Sequence, residues 1–229
     1  NGMFALAIHD ADANRLFLAR DRAGEKPLFY RLAGERLFFA SELKALLADP
    51  DVPRRLDTEA LDYYLCYGYV PGEMCLVAGV RKLPPAHAAS FDLGTGRLRT
   101  WRYWSVPAPE PAVAHGDGPG IEAARLEEEL EGLLLESVRL RLMSEVPLGA
   151  LLSGGVDSSL VVAIMSRLLQ RPVQTFSVGF DAPGPYSELP YARQVATHLG
   201  TEHRDMVVSA NDLLRELPAL VWHQDEPVS

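Results

Sequence analysis

The first hundred residues of this 229-residue chain alternate short apolar segments with polar turns. The apolar segments are FALAIHD (4–10), RLFLARD (15–21), PLFYRL (27–32) and RLFFAS (36–41). Short apolar and aromatic runs bounded by Asp, Asn and Gly are typical of β-strands joined by turns. The pattern therefore predicts an antiparallel meander, followed by two more strands within residues 86–104.

Two helical segments interrupt these strands. SELKALLADP (41–50) carries a stripe of leucines, and Ser41 is its expected N-cap. DTEALDYYLCYG (57–68) begins at a capping residue, Asp57 or Thr58, and we expect Gly68 to end it.

The composition then changes abruptly. VPAPEPAVAHGDGPG (106–120) contains four prolines and three glycines and predicts a linker. Beyond it the apolar period becomes 3.6, which predicts a helix with one buried face. That face comprises Leu126, Leu130, Leu133, Leu134 and Val138.

Strands and helices alternate through the rest of the chain. The predicted strands are 146–152, 173–180 and 203–208, and the predicted helices are 156–169, 187–199 and 210–222. Such alternation favours parallel βαβ units in an open α/β sheet. The chain is therefore α/β overall, with an antiparallel α+β part before a parallel one.

Charge and composition exclude several classes of protein. With 22 basic and 31 acidic residues the net charge is −9, and no dense basic block marks a nucleic-acid surface. No apolar run is long enough to span a membrane. The only cysteines, Cys66 and Cys75, fit no zinc spacing, and we expect reduced, packed thiols.

The candidate chemistry lies in LLSGGVDSSL (151–160), where a predicted buried strand meets a predicted helix. Ligands of α/β sheets bind at the carboxyl ends of strands, and glycines let the backbone approach an anion at a helix N-terminus. No Walker A sequence is present, and the alternative is a plain Gly-rich turn. The predicted phosphate-binding residues are Ser153, Gly154, Gly155, Val156, Asp157, Ser158 and Ser159.

Asp157 is unexpected in a loop that gathers phosphates, because like charges about 4 Å apart repel by about 4 kcal/mol at an effective dielectric of 20. A bridging Mg²⁺ removes that repulsion, since it takes oxygen ligands from carboxylates and phosphates together. We therefore predict that Asp157 binds Mg²⁺. The alternative is a helix N-terminal charge of purely structural value.

The quoted motifs resemble those of one family. SGGVDSS is similar to the pyrophosphate loop of ATP pyrophosphatases. GMFALAIHD, RLFLARDRAGEKPLFY and FASELKALL resemble the closing part of the class II glutamine amidotransferase domain of asparagine synthetases. GYVPGEM, KLPPAH, RYW, TFSVGF and the terminal DEP match the same family in order, with Ala86 where it more often has glycine.

The resemblance implies the C-terminal part of an antiparallel α+β, Ntn-type glutaminase domain with its connecting segment over residues 1–105. It also implies the linker 106–120 and the first βα units of an ATP-pyrophosphatase (adenine nucleotide α-hydrolase-like) domain over 121–229. It implies ATP-dependent amidation of aspartate by glutamine-derived ammonia, through β-aspartyl-AMP, in a cytoplasmic enzyme that uses Mg²⁺ and forms a homodimer. Leu152 and Val178 match the residues that contact adenine, unless they are plain core residues.

The glutaminase of this family uses an N-terminal cysteine, whereas residue 1 is asparagine. We therefore expect an incomplete piece that is inactive alone and contains none of the catalytic residues. The alternatives are a β-lactam synthetase-like or other tailoring amidotransferase, and a non-catalytic ATP-binding module. Asp225 and Glu226 are expected either at the mouth of the active site or at a solvated helix end.

Overall fold

The computed structural model describes residues 2–108, 119–181 and 187–226. The chain divides into two compact units. The first contains residues 1–109 and 218–229, and the second contains residues 110–217. Of the predicted linker, residues 109–118 lie outside the described ranges. None of the described helices is long and apolar enough to cross a membrane.

The strands of the first unit are β1 (Ala5–Asp10), β2 (Arg15–Arg20), β3 (Phe29–Ala33), β4 (Arg36–Ala40), β5 (Arg81–Lys82), β6 (His87–Asp92) and β7 (Leu98–Arg102). They form two antiparallel sheets, with strand orders β1-β2-β6-β7 and β4-β3-β5. The predicted single meander is therefore wrong. β2 pairs with β6, and β3 belongs to the other sheet.

The turn after β2 explains this change of sheet. The carboxylate of Asp21 is 1% exposed and accepts hydrogen bonds from the N–H groups of Phe4, Glu25 and Lys26. Burial raises the pKa of Asp21, but these backbone donors outweigh burial and hold the pKa below its usual value. The chain is thereby folded tightly around one carboxylate and leaves in a new direction.

The helices of the first unit are α1 (Leu43–Leu47) and α2 (Thr58–Tyr67). The predicted ends of α2 are confirmed, because Asp57 caps its first amides and Gly68 is left-handed with φ 77°. The predicted Ser41 cap of α1 is wrong. The carboxylate of Asp225 accepts instead from the N–H groups of Leu43 at 2.8 Å and Lys44 at 3.2 Å.

The second unit contains α3 (Pro119–Arg141), β8 (Gly149–Leu151), α4 (Val156–Leu168), β9 (Gln174–Phe180), α5 (Leu189–Leu199), β10 (Glu202–Val208) and α6 (Ala210–Gln224), whose residues from Pro218 onward belong to the first unit. The predicted parallel sheet is confirmed, with strand order β10-β9-β8. The alternation therefore predicted both the kind and the order of these elements.

The buried face of α3 is shorter than predicted. Val138 lies in the core and Leu134 packs against it, but Leu126, Leu130 and Leu133 are exposed. Only the C-terminal end of the helix therefore contributes to the core that it shares with α4 and the sheet. That core contains Val138, Leu152, Val162, Ile164, Met165, Val173, Ala192 and Ala196.

Candidate nucleotide site

The predicted phosphate loop lies at the carboxyl end of the parallel strand β8. The strand ends at Leu151, and α4 begins at Val156 after Ser153, Gly154 and Gly155. The structure therefore places all seven predicted phosphate-binding residues within one strand–loop–helix junction. Parallel α/β sheets bind their ligands at this end of the strands.

The two glycines have different structural roles. Gly154 has φ +82°, and a Cβ there would stand 2.6 Å from the backbone N of Ala192 and the backbone C of Tyr191 in α5. Gly155 has φ −70°, and a Cβ there would meet only the Oγ of Ser153, at 3.3 Å. Gly154 is thus required by the packing of the loop on α5, while Gly155 borders open space.

Serine hydroxyls hold the shape of the loop. The Oγ of Ser158 lies 2.9 Å from the Oγ of Ser153 and accepts from its N–H at 3.3 Å. The same hydroxyl donates to the carbonyl of Gly155, and Ser153 Oγ accepts from the N–H of Gly155. In the described part of the chain the buried hydroxyl of Ser159 has no hydrogen-bond partner.

The N-terminus of α4 has no side-chain cap. None of the described residues accepts a hydrogen bond from the N–H groups of Val156, Asp157 or Ser158. Unpaired amides at the positive end of a helix dipole attract anions. The loop and the start of α4 are therefore suited to bind a phosphate group.

The two residues matched to adenine contacts have different surroundings. Leu152 is 1% exposed and lies in the core, whereas Val178 on β9 is 55% exposed. The N–H of Leu152 donates to the carbonyl of Phe176 at 2.8 Å, and its own carbonyl accepts from the hydroxyl of Ser177. Leu152 can therefore line a ligand site only by contact with its backbone, whose N–H and carbonyl already have partners, since its side chain is enclosed.

Sequence reasoning missed Ser177. In β9, residues alternate between a buried and an exposed face, and Ser177 falls on the buried face with Thr175. A polar residue at a buried strand position needs a partner, and that requirement was the available signal. The identity of the partner, the carbonyl of Leu152, depends on the register of two strands.

Asp225 and Glu226 are not at a solvated helix end. They are 8% and 14% exposed in their side chains and pair with Lys44 at 3.0 Å and Lys82 at 2.9 Å, within the first unit. Glu226 also accepts from the N–H of Leu76. Burial lowers the pKa of Lys44, but its hydrogen bonds to Asp225 and Glu42 prevail and raise it. Both carboxylates are thus fixed by contacts within the protein.

The two cysteines are free. Cys75 is buried as expected, and burial raises the pKa of its thiol to about 12, so that it stays protonated at neutral pH. Cys66 is exposed, which corrects the prediction that both thiols are packed. Within the described ranges, no three His, Cys, Asp or Glu side chains are grouped to hold a metal ion.

Comparisons with known proteins match both parts of the chain. Residues 1–104 match the glutamine amidotransferase domain family, and residues 129–229 match the asparagine synthase family. A putative glutamine-hydrolysing asparagine synthetase of Methanocaldococcus jannaschii is 33% identical over 99% of this chain and 43% of its own length. A glutamine-hydrolysing asparagine synthetase of Bacillus subtilis is 34% identical over 100% of this chain and 34% of its own length. The carboxyethyl-arginine beta-lactam-synthase of Streptomyces clavuligerus is 31% identical over 97% of this chain and 38% of its own length.

The matches define a glutamine amidotransferase domain followed by an asparagine synthase domain that contains a parallel sheet. The chain belongs to the asparagine synthetase family. It spans between about a third and two fifths of the length of these relatives.

Proposed function

We propose that the protein to which these residues belong makes asparagine from aspartate, with ATP as the activating substrate and glutamine as the nitrogen source. The observation that carries the proposal is the start of α4, where the N–H groups of Val156, Asp157 and Ser158 have no acceptor among the described residues. The names of the relatives in M. jannaschii and B. subtilis support asparagine as the product and glutamine as the nitrogen source.

The loop and α4 bind the phosphates of ATP in this proposal, as in ATP pyrophosphatases. Gly155 borders open space, so phosphate oxygens can approach the amides that follow it. The hydroxyls of Ser153 and Ser158 lie beside them. The helix dipole and these donors stabilise the negative charge that develops on the departing pyrophosphate.

Adenine binds at the ends of β8 and β9. Leu152 lines this position through its backbone, and Val178 through its backbone and its exposed side chain. The alternative is that Leu152 and Val178 are plain core residues. The side chain of Leu152 lies in the core, whereas that of Val178 does not. ATP would then extend from the strand ends to the start of α4.

The exposed carboxylate of Asp157 suits Mg²⁺, because it is a hard oxygen ligand in the first turn of α4, next to the proposed phosphate position. One protein carboxylate with phosphate oxygens is an ordinary ligand set for this ion. When bound, Mg²⁺ would neutralise the charge of the β- and γ-phosphates.

The reaction in this proposal has two steps. An oxygen of the aspartate side chain bonds to the α-phosphorus while the bond from that phosphorus to pyrophosphate breaks. Ammonia then attacks the acyl carbon of β-aspartyl-AMP, AMP leaves with the electron pair of the broken acyl–oxygen bond, and the proton that the new amide nitrogen loses passes to AMP or water. Exclusion of water protects the acyl adenylate from hydrolysis.

The test is Asp157→Asn in the full-length protein, with Asp212→Asn as the matched control. Asp212 also lies in the first turn of a helix, α6, where it pairs with Ser209. We expect the Asp157 variant to lose nearly all aspartate-dependent pyrophosphate release but to keep glutaminase activity. If the two variants release pyrophosphate at the same rate at limiting Mg²⁺, Asp157 is only a helix-terminal charge.

A second candidate is supported by the 31% identity to the S. clavuligerus beta-lactam-synthase. Under this alternative, pyrophosphate release would require a carboxyethyl-arginine-like acceptor in place of aspartate, and it would not need glutamine. ATP binding without pyrophosphate release in the presence of any of these acceptors would instead indicate a non-catalytic module. Cytoplasmic location and a homodimer stay predictions.

A further inference from the structure

The hydrogen-bond pattern of β9 shows which backbone groups face which neighbour. Phe176 accepts from the N–H of Leu152, so its polar groups point towards β8. The carbonyl of Val173 and the N–H of Asp181 both bond to β10. Because the direction alternates with a period of two, the N–H and carbonyl of Val178 point towards the β8 side.

The regular ladder between β8 and β9 stops before Val178. In a continuous parallel ladder the N–H of Val178 would donate to the carbonyl of Leu152. That carbonyl accepts from the hydroxyl of Ser177 instead. No described residue accepts a hydrogen bond from the N–H of Val178.

Ser177 is well placed to fix this arrangement. Its side chain is 7% exposed and lies on the buried face of β9, so the hydroxyl is enclosed by the core of the unit. Its acceptor, Leu152, is the last residue before Ser153, with which the phosphate loop begins. Together with the bond from the N–H of Leu152 to Phe176, this side-chain hydrogen bond holds the junction between strand and loop.

We propose that Ser177 is a positioning residue of the nucleotide site. By directing the carbonyl of Leu152 towards the buried face of β9, its hydroxyl keeps the N–H of Val178 free to donate to an acceptor nitrogen of the adenine ring. Without the Ser177 hydroxyl, the carbonyl of Leu152 accepts a hydrogen bond from the N–H of Val178. The ladder between β8 and β9 then extends over the position proposed for adenine. This inference rests on the proposed ATP site.

The chemistry favours adenine over guanine. A backbone N–H donates a hydrogen bond to N1 of adenine, which is an acceptor, whereas N1 of guanine carries a hydrogen atom. The same N–H makes no bond with pyrophosphate. Ser177 therefore affects binding of the base and leaves binding of the phosphates unchanged.

The first experiment is amide hydrogen exchange at Val178 in the unsubstituted full-length protein. We expect this amide to exchange rapidly in the absence of ligand and about tenfold or more slowly with saturating AMP. Pyrophosphate alone should leave the rate unchanged. An amide that AMP does not protect would overturn the role assigned to Ser177.

The second experiment is Ser177→Ala, measured by calorimetric titration with ATP, GTP and pyrophosphate. We expect ATP to bind about tenfold more weakly, as for loss of one hydrogen bond, with unchanged pyrophosphate affinity and reduced preference for ATP over GTP. Ser177→Thr keeps a hydroxyl and should restore most of the affinity. The matched control is Ser166→Ala, because the Ser166 hydroxyl donates to the carbonyl of Val162 within α4, at 2.9 Å.

The outcomes of these titrations separate this inference from the proposed function. If the unsubstituted protein does not bind ATP, both fail. If it binds ATP and the Ser177→Ala variant binds it equally well, only the positioning role is refuted. A parallel loss of ATP and pyrophosphate affinity would also refute it, since that pattern means general disruption of the loop. Should the variant not fold, the exchange measurement at Val178 decides.

Discussion

Replacing Gly154 by alanine should destabilise the second unit by about 2–5 kcal/mol. Its φ of +82° is in the left-handed region, which costs a residue with a Cβ about 1–2 kcal/mol. The added Cβ would also stand 2.6 Å from backbone atoms of Tyr191 and Ala192. Displacing the first turn of α5 adds about 1–3 kcal/mol, as in other overpacked sites.

The neighbouring Gly155 provides the contrast. Its φ of −70° and ψ of 163° suit any residue, and a Cβ would meet only the Oγ of Ser153. Gly155→Ala should therefore change stability by less than about 1 kcal/mol. The methyl group would nevertheless stand beside the open amides of α4, and we expect at least about tenfold weaker binding of ATP.

Both variants are to be measured in the full-length protein. Unfolding in urea is monitored by hydrogen exchange of peptides from α4 and α5, which reports the stability of the second unit separately. Binding is measured by titration with Mg·ATP. Wild-type stability of the Gly154→Ala variant would refute the steric reasoning. Unchanged ATP affinity in the Gly155→Ala variant would mean that phosphate does not approach this part of the loop.

Three further predictions concern the first unit. Asp225→Ala should lower the free energy of unfolding by about 1–2 kcal/mol, because the N–H of Leu43 loses the carboxylate that caps it, and hydrogen exchange at that amide reports the loss. Ala86 has φ 60°, so Ala86→Gly should leave urea stability unchanged or raise it by up to about 1 kcal/mol, whereas Ala88→Gly in β6 should lower it. The pKa of Asp21 is depressed in the folded state, so its stabilisation is complete above the unfolded pKa of about 3.9 and is lost as pH falls through the folded pKa. An Asp21→Asn variant with the same acid unfolding curve as the parent would contradict that assignment.

Features encoded by nearby residues could be predicted from the sequence. Asp57 caps α2 through amides two and three residues away. Ser209 and Asp212 cap the start of α6 reciprocally. In each case the partner lies within a few positions, so the short pattern contains both groups that interact.

Features that join distant residues could not be predicted in the same way. The cap of α1 comes from Asp225, 182 residues from Leu43, although Ser41 offers a local oxygen. β2 pairs with β6 and not with β3, and this pairing depends on the way the chain folds around Asp21. The bond of Ser177 depends on strand register. None of these partners can be identified from a local window of sequence.

Within the described part of the chain, the starts of α4 and α5 lack a side-chain cap, in contrast to those of α1, α2 and α6. At α1, α2 and α6 an oxygen of Asp225, Asp57 or Ser209 accepts hydrogen bonds from the first amides. At α4 the corresponding position is Gly155, which has no side-chain oxygen, and the carboxylate of Asp157 remains exposed. Unpaired amides cost stability unless water or a ligand satisfies them. The uncapped start of α4 is exposed, so water can satisfy its amides until a phosphate group takes the place of that water.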